Sequence, residues 1–167
     1  MTKINTVFKK EKTEWKYICN ICFNYKEKCI CDKQTSCLGI DSNIIKCLQI
    51  LHSKNYQTVS CCEGHLSTYK TQRGTIYTNL SDTYITFDIH SLEDIKKELM
   101  NIDWEILKLE VLPDGKRYQL NVLGMRVKGD KYDKLLEYKH NNIHILENIF
   151  SKFKKRKMTE EVIITNY

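Results

Sequence analysis

The chain has 167 residues, of which 41% are hydrophobic, and it carries a formal net charge of +6 at pH 7. This length and composition suit one packed domain with a small appendage. The sequence argues against a membrane-spanning helix, a signal peptide, a glycine-rich dinucleotide fingerprint and a phosphate-binding loop, because none of these patterns is present in it. We therefore expect a soluble, cytoplasmic protein without a membrane partner.

The first predicted feature is a metal site, because five of the eight cysteines lie between residues 19 and 37. Cytosolic thiols stay reduced, so dense cysteines there indicate a metal more often than disulfides. Four thiolates suit tetrahedral zinc, whereas the spacings of ferredoxin iron–sulfur clusters do not match. Trp15, Tyr17 and Phe23 either cap this site or offer a stacking surface for bases. The predicted ligands of a structural zinc ion are Cys19, Cys22, Cys29 and Cys31, with Cys37 as the alternative to Cys31.

The remaining elements predict an α+β domain, residues 39–167, that follows an N-terminal arm and zinc knuckle, residues 1–38. Periodicity and turn residues predict, in chain order, a helix at 41–54, strands at 56–61 and 83–89 separated by a polar loop, a helix at 92–101, a hairpin of strands 104–112 and 117–123, and a long basic amphipathic helix at 131–155. This α-β-β-α-β-β-α order favours an antiparallel or mixed four-stranded sheet with helices on one face.

A second candidate site is the Ser-Cys-Cys-Glu-Gly-His turn that ends the first predicted strand. Cys62 and His65 are candidates for a nucleophile and its base, with Glu63 nearby, or for metal ligands together with His90. The structural alternative is that Gly64 bends the backbone, one thiol fills the core and His65 caps the loop. Since the sequence shows no third residue that orients His65, the catalytic residues stay unassigned and a binding role is favoured over an enzyme.

The stretch YQTVSCCEGH, residues 56–65, resembles the Tyr-x-Thr-x-Ser-Ser-Cys-Ser-Gly-Arg segment of the wybutosine-synthesis methyltransferase family, which modifies tRNA. The matching residues are Tyr56, Thr58, Ser60, Cys62 and Gly64, whereas Cys61, Glu63 and His65 replace Ser, Ser and Arg. The resemblance extends over residues 41–65 and implies an α+β core and a connection with RNA. The chain also resembles small uncharacterised proteins of Gram-positive bacteria and their phages that join a cysteine knuckle to a Cys-x-Gly-His turn.

The positive charge is concentrated at the two ends of the chain. Residues 1–40 carry eight lysines against four acidic residues, and residues 131–157 carry eight basic residues against three acidic ones. Such patches attract polyanions, nucleic acid first, although cations at the end of a helix also complement its dipole and favour solubility. The candidate phosphate contacts are Lys9, Lys10, Lys12, Lys16, Lys152, Lys154, Lys155, Arg156 and Lys157.

Three functional hypotheses follow, and the oligomeric state is left open. The first is a zinc-stabilised basic protein that binds nucleic acid or a nucleoprotein complex; the Ile-, Lys- and Asn-rich composition and the phage resemblance favour an inhibitor of a host defence nuclease, such as an anti-CRISPR protein. The second is an RNA-modifying, tRNA methyltransferase-like enzyme that uses Cys62 and His65. The third is a nucleotide sponge, in which the loop from Cys62 to Asn79 closes over a ligand and Lys70 and Arg73 meet its phosphates.

Overall fold

A computed structural model describes residues 5–31 and 37–157, apart from the side chain of Cys37. Across these residues the protein is α+β, as predicted, with three α-helices and antiparallel sheets. The helices are α1 (Ile45–Ser53), α2 (Leu92–Leu99) and α3 (Tyr132–Ser151). The strands are β1 (Thr6–Lys10), β2 (Trp15–Cys19), β3 (Cys37–Asp41), β4 (Thr58–Cys62), β5 (Leu66–Lys70), β6 (Ile76–Leu80), β7 (Thr83–Asp88), β8 (Leu107–Val111), β9 (Arg117–Val122) and β10 (Met125–Lys128). Among the described helices, none has the length and apolar character that crossing a membrane requires.

The strands form two four-stranded sheets and one two-stranded ribbon. We call the sheet of order β4-β7-β9-β8 the main sheet, the sheet of order β1-β5-β6-β10 the side sheet, and the β2–β3 pair the knuckle ribbon. The main sheet contains the four strands predicted from the sequence, with bounds that differ by a few residues. Alternation along β7 and β9 turns Ile85, Phe87 and Leu120 towards one face, where they join residues of all three helices in the largest core cluster.

The side sheet is absent from the predicted element order. The segment between β4 and β7 was expected to be a polar loop, but it contains the β5–β6 hairpin. Thr68 and Thr78 lie opposite each other on the inner face, fully buried, with their hydroxyl oxygens 3.3 Å apart. Thr78 Oγ1 also donates to the carbonyl of Gly129 at 2.9 Å. The prediction of a loop was wrong because hydrogen-bonded threonines occupy inner-face positions of this hairpin, where the sequence pattern of a strand would have apolar residues.

The N-terminal residues make extensive contacts with the rest of the chain. Strand β1 pairs with β5, which gives the side sheet one edge. Ile18 and Phe23 are almost completely buried in the same core as the helices. The division of the chain into residues 1–38 and 39–167 stays a prediction about separate domains.

Helix α3 packs against both four-stranded sheets. Leu135 in its first half contacts two leucines of the side sheet, whereas Leu146 and Phe150 in its second half belong to the core of the main sheet. The sequence predicted that this helix ends near residue 155, but it ends at Ser151. Phe153 folds back with its ring 5.4 Å from that of Phe150 and is buried. The basic residues 152–157 therefore follow the helix instead of forming its last turn.

An aromatic cluster lies between the main sheet and the helices. Phe87 and Tyr118 stack with ring centroids 4.9 Å apart and planes 4° from parallel. The hydroxyl of Tyr118 is 2.6 Å from Ser91 Oγ, so this buried polar atom has a partner. Tyr56 contacts the rings of Phe87 and Phe153. Burial raises the pKa of Tyr118 well above its ordinary value and that of Tyr56 to about 12.

Candidate metal sites and nucleic-acid interface

The four predicted metal ligands lie together beside the knuckle ribbon. The sulfur atoms of Cys19, Cys22, Cys29 and Cys31 all lie within 4.8 Å of one another, and none of these cysteines forms a disulfide. The sulfurs of Cys22 and Cys29 are 3.7 Å apart; four sulfurs about 2.3 Å from one tetrahedral ion are separated by about 3.8 Å. The cluster is therefore a candidate four-thiolate metal site. The alternative ligand, Cys37, lies opposite Cys19 in the ribbon, but its side chain is outside the described residues.

Backbone amides shape this cluster around Cys19. Phe23 adopts a positive φ of 57°, and its N–H donates to the carbonyl of Cys19 at 3.0 Å, which closes the turn carrying the first two cysteines. The N–H of Ile21 donates to the Cys19 sulfur at 3.4 Å. Burial raises the pKa of Cys19, but the backbone N–H donors of Cys22 and Ile21 outweigh this effect, and the pKa is lowered to about 6. Backbone N–H groups that donate to a cysteine sulfur are expected around a thiolate that binds a metal ion.

The three aromatic residues near the cysteines have different roles. Phe23 is buried, and its ring lies 4.5 Å from that of His52, so it anchors the knuckle to the core. Trp15 and Tyr17 are exposed on one face of the knuckle ribbon. Both rings pass close to Gly39 on the neighbouring strand, where a Cβ would meet each of them at 3.6 Å. Phe23 therefore packs into the core, whereas the rings of Trp15 and Tyr17 are open to solvent.

The second candidate site lies where the three sheets meet. Cys62 ends β4 of the main sheet, His65 precedes β5 of the side sheet, and Asp41 ends β3 of the knuckle ribbon. Gly64 permits the turn between the first two, because its φ is +82° and a Cβ there would lie only 2.8 Å from the carbonyl oxygen of Ser81. The turn consequently holds its side chains in one arrangement.

Cys62, His65 and Asp41 form a compact cluster at this junction. His65 Nε2 is 3.3 Å from Cys62 Sγ and 3.7 Å from Asp41 Oδ2, whereas His65 Nδ1 is 3.0 Å from Thr13 Oγ1. In a nucleophile–base–acid triad the acid contacts the ring nitrogen opposite to the nucleophile, but here Asp41 and Cys62 approach the same nitrogen. Burial also raises the pKa of the Cys62 thiol, which disfavours the reactive thiolate.

The other two predicted members of this site lie elsewhere. Glu63 is 1% exposed, and its carboxylate accepts from Lys139 Nζ at 2.8 Å and from the backbone N–H of Asn43 at 3.0 Å. It is therefore engaged in an internal ion pair. His90 is exposed and hydrogen-bonded to Asp88 instead of approaching the cluster.

Sequence reasoning missed Asp41 and Thr13 as members of the junction cluster. Asp41 fits the pattern of a helix N-cap, and Thr13 lies in a polar connection with no motif. Both are far from Cys62 and His65 in sequence, so only the pairing of the strands brings them together. No local sequence pattern marked either residue as a member, because strand β3, which Asp41 ends, was not predicted.

The outer face of the side sheet, turned away from α3, combines aromatic and basic residues. Tyr69 of β5 and Tyr77 of β6 lie directly opposite each other, with ring centroids 6.0 Å apart. The guanidinium carbon of Arg126 on β10 lies 4.0 Å from the Tyr77 centroid and 5.6 Å from the Tyr69 centroid. Strand alternation places the exposed Lys10 and Lys128 on the same face. We call these five residues the tyrosine face; of them, only Lys10 was a sequence candidate.

The two residues assigned to a nucleotide ligand border this face. Arg73 lies in the turn between β5 and β6 and lines an open depression with Thr75, Tyr77 and Arg126. Lys70 ends β5 and is exposed. Since residues 66–80 form a paired hairpin, this segment is not the free loop that was expected to close over a ligand.

Lys9 and the C-terminal basic group lie at opposite ends of α3. Lys9 Nζ is 4.2 Å from the ring centroid of Tyr132 and 3.8 Å from a carboxylate oxygen of Asp133, both in the first turn of the helix. The C-terminal group follows the last turn of this 20-residue helix, which is about 30 Å away at 1.5 Å per residue. Lys12 and Lys16 are exposed between β1 and β2 and on β2. The fold therefore does not join Lys9 and the C-terminal group into one stripe.

The C-terminal group is partly structural. Arg156 donates to Asp94 Oδ2 at 2.7 Å and to the carbonyl of Asn55 at 2.8 Å, and its guanidinium lies 5.3 Å from the ring centroid of Tyr56. Asp94 and Glu98 share an open groove with the lysines that follow α3. Their carboxylates make this groove less suited to phosphates than the tyrosine face. The remaining exposed candidates here are Lys152, Lys154, Lys155 and Lys157.

Comparison with protein-family models, curated proteins and solved structures finds no match to this chain. The resemblance of residues 56–65 to the wybutosine-synthesis methyltransferases, and that of the whole chain to phage and bacterial knuckle proteins, therefore stay predictions.

Proposed function

We propose that this protein binds single-stranded nucleic acid on its tyrosine face and is stabilised by a zinc ion in the four-cysteine knuckle. The observation that carries the proposal is the pairing of Tyr69 and Tyr77 under Arg126 on an open sheet surface. This is the combination of aromatic platforms and cations through which single strands are bound without strong sequence preference.

The two tyrosines supply the stacking surface. They occupy neighbouring central strands, are only partly buried, and have their rings inclined by 30°. Unpaired bases stack on such rings at a gain of about 1–3 kcal/mol per base. Paired bases stay stacked inside a duplex and do not reach them, so the geometry selects single strands. The guanidinium plane of Arg126 extends the platform, because arginine also stacks on bases.

The surrounding cations supply the contacts with phosphate. Arg126 and Lys128 lie on β10 at one edge of the face, and Lys10 lies on β1 at the other edge. Arg73 stands at the hairpin end of the same surface. A strand that crosses the central tyrosines therefore meets positive charge on both sides, which fits a backbone that carries one negative charge per nucleotide.

The knuckle serves the fold rather than the chemistry. Four thiolates complete the coordination of a zinc ion and leave no position for a substrate or an activated water. The site instead fixes Ile18 and Phe23 in the core, and with them the ribbon that presents Trp15 and Tyr17. These two exposed rings, with Lys16 nearby, offer a second contact area for the same strand.

Fluorescence anisotropy with a labelled single strand of about 12 nucleotides and with the duplex of the same sequence tests the proposal. At about 50 mM salt, where phosphate contacts are weakly screened, the single strand is expected to bind more tightly than the duplex. Absence of binding to both probes, or tighter binding of the duplex, contradicts the proposal. Inhibition of a host defence nuclease and RNA modification at Cys62 and His65 stay separate predictions.

A further inference from the structure

We propose that Asp41, Cys62 and His65 form a second metal site, which takes a divalent ion of the zinc class. Three different ligand types converge there: a carboxylate oxygen, a cysteine sulfur and an imidazole nitrogen. Cys62 and Asp41 both approach Nε2 of His65, which argues against a catalytic triad. A metal ion bound by all three side chains requires this arrangement. Thiolate and imidazole together suit zinc, cobalt and related ions better than calcium or magnesium.

The distances fit one small ion. With bond lengths of about 2.3 Å for sulfur and about 2.0–2.2 Å for nitrogen and oxygen, a tetrahedral ion separates its ligand atoms by about 3.4–3.6 Å. The observed separations are 3.3 Å between Cys62 Sγ and His65 Nε2, and 3.7 Å between His65 Nε2 and Asp41 Oδ2. All three ligand atoms lie within 4.8 Å of one another. Only small side-chain shifts separate this arrangement from ligation.

Hydrogen-bond partners hold two of the three ligands in place. Thr13 Oγ1 lies 3.0 Å from His65 Nδ1, a position that suits a hydrogen bond from the Nδ1–H tautomer, whose Nε2 is free to bind an ion. The backbone N–H of Glu63 donates to Asp41 Oδ2 at 3.2 Å and orients that carboxylate. Histidine and carboxylate ligands of metal ions in proteins are usually oriented by hydrogen bonds of this kind.

The local charge also favours a cation. Glu11 and Glu63 share the buried ammonium of Lys139, and Asp41 adds a third carboxylate beside them. Once Cys62 binds as a thiolate, four negative charges face the one positive charge of Lys139 around the junction. A divalent ion balances two of the three excess negative charges.

The position of the site gives such an ion a clear role. Its ligands come from the end of the main sheet, the start of the side sheet and the end of the knuckle ribbon. One ion therefore ties the three sheets together at the Gly64 turn. The side chain of His65 is 40% exposed, so the fourth position of a tetrahedral ion opens to solvent.

Metal analysis of the full chain tests this site separately from the knuckle. Protein saturated with zinc and then freed of excess metal is expected to hold two ions per chain. The double variant Cys22→Ser/Cys29→Ser, which disables the knuckle, and the variant Cys62→Ala are each expected to hold one. The matched control is Cys61→Ala: that neighbouring thiol faces the core on the other side of β4, so this variant keeps both ions.

Cobalt titration of wild-type protein supplies a measurement that does not depend on a variant folding. Charge-transfer absorption from sulfur to cobalt increases with the number of thiolate ligands. The cobalt ion in the Asp41–Cys62–His65 site, with one thiolate, should therefore add about one quarter of the absorption of the ion in the four-thiolate knuckle. His65→Ala abolishes the absorption from the ion in the second site. A single ion per wild-type chain at saturation, or a second ion that persists in both Cys62→Ala and His65→Ala, overturns the proposal.

Discussion

The ammonium of Lys139 lies 2.8 Å from a carboxylate oxygen of Glu63, and both side chains are almost completely buried. The same ammonium is 2.7 Å from Glu11, so one cation in the middle of α3 contacts the end of β1 and the turn between β4 and β5. Such a buried group is retained only when its partners are complete, because an unpaired charge in the interior is costly. The triad therefore fixes α3 beneath the junction where the sheets meet.

Replacing Lys139 by Met is expected to destabilise the protein strongly, because it leaves two carboxylates buried without their cation. The loss in free energy of unfolding should be about 3–5 kcal/mol, measured by urea denaturation. Lys134→Met on the exposed face of the same helix is the matched control and should change stability by less than about 0.5 kcal/mol. A loss below about 1 kcal/mol for Lys139→Met contradicts this role.

Alkaline pH is expected to destabilise the fold through its buried tyrosines. The pKa of Tyr118, and that of Tyr56 at about 12, lie above the ordinary value near 10, so the folded state retains protons that the unfolded state releases. Stability is therefore fully present below pH 10 and falls as the pH rises towards 12. Urea unfolding at a series of pH values measures this slope.

Tyr118→Phe is the control for the alkaline effect. It removes the hydroxyl that contacts Ser91, at a cost of about 1 kcal/mol near pH 7. Because it also removes one titrating group, its stability should decline less steeply above pH 10 than that of wild type. Parallel curves for the two proteins rule out Tyr118 as a source of the pH dependence.

Removal of metal from the knuckle is expected to loosen the N-terminal part of the chain. Cys22→Ser/Cys29→Ser should lower the zinc content by one ion per chain and reduce the thermal unfolding temperature, because metal binding contributes directly to the stability of small thiolate sites. Hydrogen exchange should increase most in residues 15–31. Unchanged zinc content in this variant contradicts the four-thiolate site.

The sequence predicted the features that depend on local patterns. Alternation and an Asp-Gly turn identified β7 and the β8–β9 hairpin, and cysteine spacing brought together the four thiols of the knuckle. Helical periodicity located all three helices, although it placed the end of α3 about four residues too late. The turn at Phe153, which packs back onto the core, has no local sequence signal.

The features that the sequence did not predict depend on long-range pairing. The side sheet was missed because buried threonines replaced apolar residues on its inner face. The tyrosine face was missed for the same reason, because Tyr69, Tyr77 and Arg126 meet only when β5, β6 and β10 pair. Asp41 joined Cys62 and His65 for the same reason. Charge counting instead pointed to the two ends of the chain, and at the C-terminal end Arg156 proves to be internally bonded.

The salt dependence of binding should report the cations of the tyrosine face. For a single strand, each phosphate contact contributes about 0.7 to the slope of log affinity against log salt concentration. Arg126→Ala/Lys128→Ala should therefore reduce the slope by about 1.4, measured by anisotropy. Lys108→Ala/Arg117→Ala, a pair of the same charge on the main sheet, should leave it unchanged. Equal slopes for the two double variants contradict this assignment.

The most direct test of the proposed function is the affinity of Tyr69→Ala/Tyr77→Ala for a labelled single strand, compared with wild type and with Tyr69→Phe/Tyr77→Phe. Loss of stacking at about 1–3 kcal/mol per base predicts at least a tenfold weaker affinity for the alanine variant, whereas the phenylalanine variant keeps the rings and should bind within about threefold of wild type. Unchanged affinity in the folded alanine variant, with the loss appearing instead in Trp15→Ala/Tyr17→Ala, would contradict binding at the tyrosine face.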